Sequence, residues 1–371
     1  CVVALALPGR SSWTALAGFA AGFCASWLAF GFDWLATGLA ASTALGPALG
    51  IMFHVALAAA VGALPALGLV VGAALAVRAR GTVAATAALT GAFACAELAR
   101  FAAFGSASLM HVGYIQIDSW LSGFMPVVGV PGTGVIVVAI AAAFAVWLER
   151  ALRSRNLQPA ALASAVVLAG AAIFAGHALR DVEWTTASGP SLRVQLLQTA
   201  AAPGASPRIA DVAAVLDALD LDAQRTDLAV LPESAVAMDW DRVAAPLREA
   251  LASRLRAGGG HALIGTYGYD AAVGPLNVAV LVAPGALPGD FAESAYVKRH
   301  LMPFGEYTPP ALGWFVELLQ VPMTDLGAAP PDSPSLLEVR GVAFRPSLCL
   351  ELLYGGELAT DAREAGFVVN Q

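Results

Sequence analysis

Residues 296–310 read YVKRHLMPFGEYTPP and hold the single lysine of this 371-residue chain, whose 20 cationic side chains are otherwise all arginine. Lysine is ordinarily a common residue. In a chain this biased toward arginine, Lys298 is either a chance survivor or a position where a guanidinium will not serve. An ammonium is compact and strongly hydrated, and its pKa moves readily on burial; the guanidinium is a broad planar fork.

Outward from that stretch, the chain divides by charge. It is 58% hydrophobic and 13% charged, against about 25% charged in ordinary soluble proteins. Residues 1–187 carry 8 Lys and Arg and 6 Asp and Glu, whereas residues 188–371 carry 12 and 21. The first part is nearly uncharged and the second is acidic. An acidic second half argues against nucleic acid as a partner, since phosphate binding needs a basic surface. The division predicts a transmembrane helical domain over 1–187 and a polar domain over 188–371.

A helix needs about 20 largely apolar residues to cross a bilayer. Residues 12–31, 48–77, 82–104, 132–148 and 159–179 meet that requirement, while 34–47, with Gly38, Gly46 and Pro47, suits an interfacial or re-entrant segment. The Gly18/Gly22 and Gly68/Gly72 spacings suit close helix packing in lipid. Arg10, Arg78 with Arg80, and Arg150 with Arg153 and Arg155 mark cytoplasmic turns, and the turns between them lack Lys and Arg. With five spans, that pattern puts residue 180 onward on the outer face, the periplasm of a Gram-negative cell. Glu97 and Arg100, one turn apart near the outer end of a span, form either a structural ion pair or a contact for a lipid headgroup. The apolar, aromatic loop HVGYIQIDSWLSGFMPVVGVPG is expected to lie in the interface.

After Leu192 the hydrophobic period changes. SLRVQLLQ, DLAVLPE, HALIGTYGY, LNVAVLVA, SLLEV, VAFRPSLCLE and FVVN read as strands. RIADVAAVLDALDLDA, residues 242–256 and GGELATDAREAG read as helices. Alternating strands and helices indicate an α/β layered domain. Both ends read as cut: the chain opens on Cys1 in a short apolar run and closes on a strand in mid-course. On that reading the fragment by itself is inactive.

Three reactive side chains fall at strand ends or in adjoining loops: Glu233, Lys298 and Cys349. Each has a plain alternative, as a surface acid, a stray cation or a buried core thiol. Together they suffice for acyl transfer. A thiolate attacks, a carboxylate takes its proton and a fixed cation stabilises the oxyanion. A nearby cation would also lower the thiol pKa. The five His are scattered without close ligand spacing, so no metal is expected. Cysteine usage does not fix the redox compartment.

LAVLPESA, YVKRHLMPFGEYTPP and LCLE resemble the Glu, Lys and Cys motifs of the nitrilase, or carbon–nitrogen hydrolase, superfamily. GFDW, ELAR, GYIQID and LRVQLLQ extend the resemblance to the apolipoprotein N-acyltransferase family across most of the chain. The resemblance implies a helical membrane bundle bearing an α-β-β-α nitrilase-like sandwich, incomplete at its C-terminus. It implies Glu233 as general base, Lys298 as oxyanion stabiliser and Cys349 as nucleophile, with Glu306 and Glu351 as supporting or substrate-binding carboxylates. The implied partners are a phospholipid acyl donor and a diacylglyceryl-modified apolipoprotein acceptor, with no cofactor, in the bacterial inner membrane with the catalytic domain in the periplasm. Leu350 stands where the family has a tyrosine, and QTAAAPGASP lacks the usual aromatic residue. Those departures leave open an acceptor of another kind, as in conjugal-transfer relatives, or a non-catalytic interaction module.

Overall fold

In the computed structural model, residues 10–34, 36–37, 46–105, 110–187, 189–198, 226–284, 294–303, 305–308, 313 and 325–371 are described. The helix expected over 208–223, most of 34–47 and nearly all of QTAAAPGASP lie outside them. The described residues form two compact units that meet in sequence at Thr186/Ala187.

The first unit is helical: α1 (Arg10–Gly31), α2 (Gly46–Arg78), α3 (Thr82–Phe104), α4 (Met125–Ser154) and α5 (Pro159–Arg180). These five are long and apolar enough to cross a membrane. Their outward surface is apolar as well, with Phe19, Phe23, Phe30, Met52, Leu67, Val167 and Phe174 exposed. Such a surface is a liability in water and the natural solvent contact in lipid. Small residues let α2 approach α3: a side chain on Gly68 would meet Ala96 and the Ala92 carbonyl. Gly72 similarly faces Leu89 and Ala92, but Gly18 and Gly22 have nothing within 4 Å. The packing expectation therefore holds for the second glycine pair only.

Glu97 and Arg100 form a two-pronged pair on α3, with Arg100 Nε and Nη2 donating to Glu97 at 2.9 and 2.7 Å. Arg100 is fully buried and lies over the Trp27 ring, so the pair is internal to the bundle. His111 Nδ1 joins Glu97 Oε2 at 3.0 Å. That third member pins the start of a strap of two 3₁₀ turns, Val112–Gln116 and Trp120–Phe124. The strap seats on α5 at Gly123, where a Cβ would stand 2.0 Å from the Gly176 carbonyl oxygen. The interfacial loop is thus packed structure, and α4 begins within it, breaking at Gly129 (φ 68) before its apolar run.

The second unit contains two sheets. The larger runs β1 (Val194–Leu196), β2 (Leu228–Val230), β4 (His261–Asp270), β5 (Gly274–Val282) and β6 (Ala295–Val297) in spatial order, with β3 (Val236–Asp239) also on β4. The smaller holds β7 (Leu337–Val339), β8 (Val342–Ser347) and β9 (Phe367–Asn370). Helix α6 (Ala245–Gly258) makes the parallel crossover from β2 to β4. It opens with Pro near its start and ends at Gly259 (φ 75), whose N–H caps the Leu255 carbonyl. A 3₁₀ turn, Trp240–Arg242, precedes it, so the helix begins three residues later than the periodicity suggests.

Period-two alternation builds the layers. Ala229 and Leu231, Ala262 and Ile264, Val278 and Val280 pack with Leu251 and Leu255 of α6. The opposite face presents Leu228, Val230, Leu263, Ala279, Leu281 and Tyr296 to Leu337, Val339 and Phe344 of the smaller sheet and to Leu348 just beyond it. VAFRPSLCLE is not one strand: β8 stops at Ser347, and Cys349–Leu353 is a 3₁₀ turn. Helix α7 (Gly355–Asp361) covers only the first part of GGELATDAREAG.

Candidate active site

The site grows from one cross-strand pair. β5 and β6 run antiparallel with Val278 opposite Val297 and Ala279 opposite Tyr296. The next pair along is Asn277 with Lys298, joined by the Lys298 N–H to the Asn277 carbonyl at 2.9 Å. Both share the parity of Ala279 and Tyr296, which face the second sheet. Their polar heads therefore stand together at the end of an apolar layer. Both are buried.

Two carboxylates close the cluster. Lys298 Nζ donates to Glu233 Oε1 at 2.9 Å and to Glu306 Oε1 at 2.8 Å. Asn277 Nδ2 donates to the same two oxygens, at 2.7 and 2.6 Å. Four atoms thus form a ring in which an ammonium and an amide each bridge both carboxylates. Glu306 is held further by the Met302 N–H on Oε2 at 2.8 Å, in a turn that folds back on the Met302 carbonyl. Among the described residues, Glu233 Oε2 and the third N–H of Lys298 stay uncommitted.

Glu233 follows β2 in a turn where Ser234 takes a positive φ of 53°. The turn lies directly on Gly265 of β4. A Cβ there would fall 2.3 Å from the Pro232 oxygen and 2.7 Å from Glu233 Cα. Only glycine lets the strand pass so close beneath the carboxylate.

Cys349 follows the last strand residue by two and is also left-handed, at φ 51°. Few non-glycine residues adopt that conformation, and it recurs where a functional side chain is pushed out of its layer. Cys349 is accordingly exposed, while Leu348 before it is fully buried. Its N–H is held by the Gln371 carbonyl at 2.8 Å.

Glu351 joins the two sheets. Its Oε1 accepts from the Arg299 and His300 N–H groups at 2.7 and 3.2 Å; its Oε2 accepts from Leu348 N–H and the Tyr296 hydroxyl, both at 2.8 Å. One buried carboxylate thereby ties the backbone after Lys298 to the backbone before Cys349. All four hydrogen bonds of the acid come from the protein's own frame. Burial, then the charge of Glu351, keep the Tyr296 phenol well above its ordinary pKa, so the hydroxyl remains a donor.

Electrostatics link the thiol to the ring. Desolvation pulls the Lys298 pKa down, but Glu306 and Glu233 outweigh it and hold it above the usual lysine value. The Cys349 thiol is raised, first by desolvation of its sulfur and then by the charge of Glu233, with Lys298 acting the other way. Lys298 acts in the expected downward direction, but desolvation and, after it, Glu233 outweigh it, so the thiol pKa lies above its ordinary value. Among the described residues, no three His, Cys, Asp or Glu side chains are grouped as a metal site requires.

Glu233, Lys298 and Glu306 thus meet directly, Cys349 senses all three charges, and Glu351 braces the loops that carry Lys298 and Cys349. Asn277 and Tyr296 escape a reading by composition. Asn277 was legible only as the one polar side chain inside the apolar run LNVAVLVA.

A set of membrane-compatible helices and layered α/β sheets with this ring defines the class, a nitrilase-like domain that shares its chain with a helical membrane bundle. No protein-family model matches the chain. It is similar to the apolipoprotein N-acyltransferase of Methylococcus capsulatus, 34% identical over 267 residues, which are 70% of this chain and 50% of the relative. The enzyme of that name from Ralstonia nicotianae is 32% identical over 265 residues, 69% of this chain and 47% of the relative. The one from Verminephrobacter eiseniae is 31% identical over 344 residues, 91% and 62%. Over the residues matched, the chain is a homologue of these apolipoprotein N-acyltransferases. It spans about half the length of the first two of these relatives.

Proposed function

We propose that this chain carries the catalytic centre of an acyltransferase that moves a fatty acyl chain from a phospholipid to the N-terminal amine of a diacylglyceryl-cysteine in a lipoprotein. The supporting observation is the Glu233–Lys298–Glu306 ring acting electrostatically on the exposed thiol of Cys349. Residues 1–187 are the membrane domain, which keeps the enzyme where both lipidic substrates reside, and residues 188–371 belong to a catalytic domain in the periplasm.

Because the thiol pKa is held above its ordinary value, the reaction needs a base in place. Glu233 Oε2 takes the Cys349 proton as sulfur bonds to the ester carbonyl carbon. The developing oxyanion meets the third N–H of Lys298, a compact donor already anchored through its other two. Collapse breaks the ester bond, and the proton returns from Glu233 to the departing lysophospholipid oxygen. In the second half-reaction the lipoprotein amine attacks the thioester, Glu233 removes the amine proton, and the thiol leaves with that proton restored. Glu306 shares the Lys298 charge, and Glu351 sets the spacing of the two loops.

The test is trapping. Intact protein in detergent, given phospholipid labelled in its acyl chains, is expected to gain a hydroxylamine-labile label that Cys349→Ala lacks and that a diacylated lipopeptide discharges. Absence of label on the wild type would overturn the enzymatic reading. Label that the lipopeptide cannot remove would assign another acceptor.

A further inference from the structure

We infer that Asn277 is a positioning residue of this site: its amide fixes the two carboxylates so that Glu233 presents a free oxygen to the thiol. The inference rests on the acyltransfer reading for Glu233. Its geometry comes from the ring itself.

Two carboxylates side by side repel, and one ammonium cannot hold both by charge alone without being free to favour either. Asn277 supplies a second bridge that carries no charge. Its Nδ2 has two N–H groups, one for Glu233 Oε1 and one for Glu306 Oε1, at 2.7 and 2.6 Å. The amide nitrogen is thereby fully used. Lys298 bridges the same oxygens from its own strand. With Oε1 doubly held, the Glu233 carboxylate cannot rotate, and Oε2 is the oxygen left for proton transfer. The site retains this amide even though its Oδ1 is buried without a partner among the described residues. A buried unsatisfied acceptor is ordinarily destabilising. The fold tolerates that loss at a residue whose backbone carbonyl already holds Lys298 in register.

Asn277→Asp separates this role from simple packing. The shape is kept, but the introduced carboxylate has one proton to donate, and only below its own pKa. Burial beside two carboxylates holds that pKa above the ordinary aspartate value. The expected result is labelling of Cys349 that falls by about tenfold or more, relative to wild type at the same pH, as pH rises from 5.5 to 8. Asn277→Ala, which leaves the carboxylates unbridged at every pH, is expected to lose a similar factor throughout with its circular dichroism unchanged. Wild-type rates in both variants would overturn the inference. So would an equal loss at all pH values in Asn277→Asp, since that is what damaged packing gives. Iodoacetamide alkylation of Cys349 is measured in parallel. A pH-dependent defect in alkylation, with no acyl label even on wild type, would sustain the positioning role while removing the acyltransferase reading.

Discussion

Lys298 shows why one cation cannot replace another at this site. Its side chain is 2% exposed and two of its donors are committed to carboxylates about 2.9 Å away. A guanidinium would have to enlarge a filled space, a change that costs about 1–3 kcal/mol, and would present a fork where one N–H is wanted. Lys298→Arg is expected to stay folded by circular dichroism and to lose acyl labelling of Cys349 by about 100-fold or more; an active arginine variant would remove Lys298 from the oxyanion role. Gly265 offers the complementary test from beneath. A methyl there meets backbone at 2.3 to 2.8 Å, which cannot step aside as a flexible side chain would. Gly265→Ala is therefore expected to displace the Glu233 turn and depress labelling, with Lys298 and Cys349 untouched in sequence. At this scale the sequence was informative where a residue's chemistry was rare for its surroundings, as with a lone lysine or a thiol closing an apolar strand. Asn277 was hidden because its role depends on which residue of β6 it faces. His111 was hidden for the same reason, since its partner on α3 is set by the path of the strap.

Among the elements, the longer strands were legible, whereas the short β3 and β6 and the turns were not. The short apolar runs in HALIGTYGY and LNVAVLVA give β4 and β5 directly, and their register follows from the short turn between Asp270 and Gly274. By contrast, the one proline nearby, Pro346, sits inside β8 without ending it, and the 3₁₀ turn Cys349–Leu353 holds no Gly or Pro of its own. What bends it is Glu351, two residues on, reaching back to Leu348 N–H and across to β6. Four donors converge on that acid. Glu351→Gln would turn an amide N–H₂ toward at least one backbone N–H, at a cost of about 1–3 kcal/mol. A lowered melting temperature, with faster hydrogen exchange confined to peptides containing 299–300 and 348, is the expected signature. Unchanged exchange there would mean that the brace does not hold the loops together.

For the molecule as a whole, charge partition alone separated a membrane-compatible half from an acidic one. What it left out was how the α/β unit is tied at its base. Asp227 accepts from Arg193 N–H and guanidinium at 2.8 to 3.1 Å and pairs with Arg340 at 3.1 Å, joining the approach to β1, the start of β2 and the β7–β8 turn. The Arg193 hydrogen bonds, foremost, hold its carboxyl below the ordinary aspartate range. A depressed folded-state pKa contributes stability that is complete above the unfolded value of about 3.9 and is lost as pH falls toward the folded one. The stability advantage of wild type over Asp227→Asn is accordingly expected to be steady near pH 7 and to shrink below about pH 4, as read from denaturant melts in detergent. The hydrocarbon between the two sheets has a different consequence. Phe344 stacks on Phe367 at 5.1 Å within that layer, and the sheets it separates end in Cys349 on one side and Lys298 on the other. On the mechanism proposed, the thickness of this greasy filling gauges the gap a proton must cross, so a methyl lost there would register first as sluggish chemistry in a protein that still looks whole.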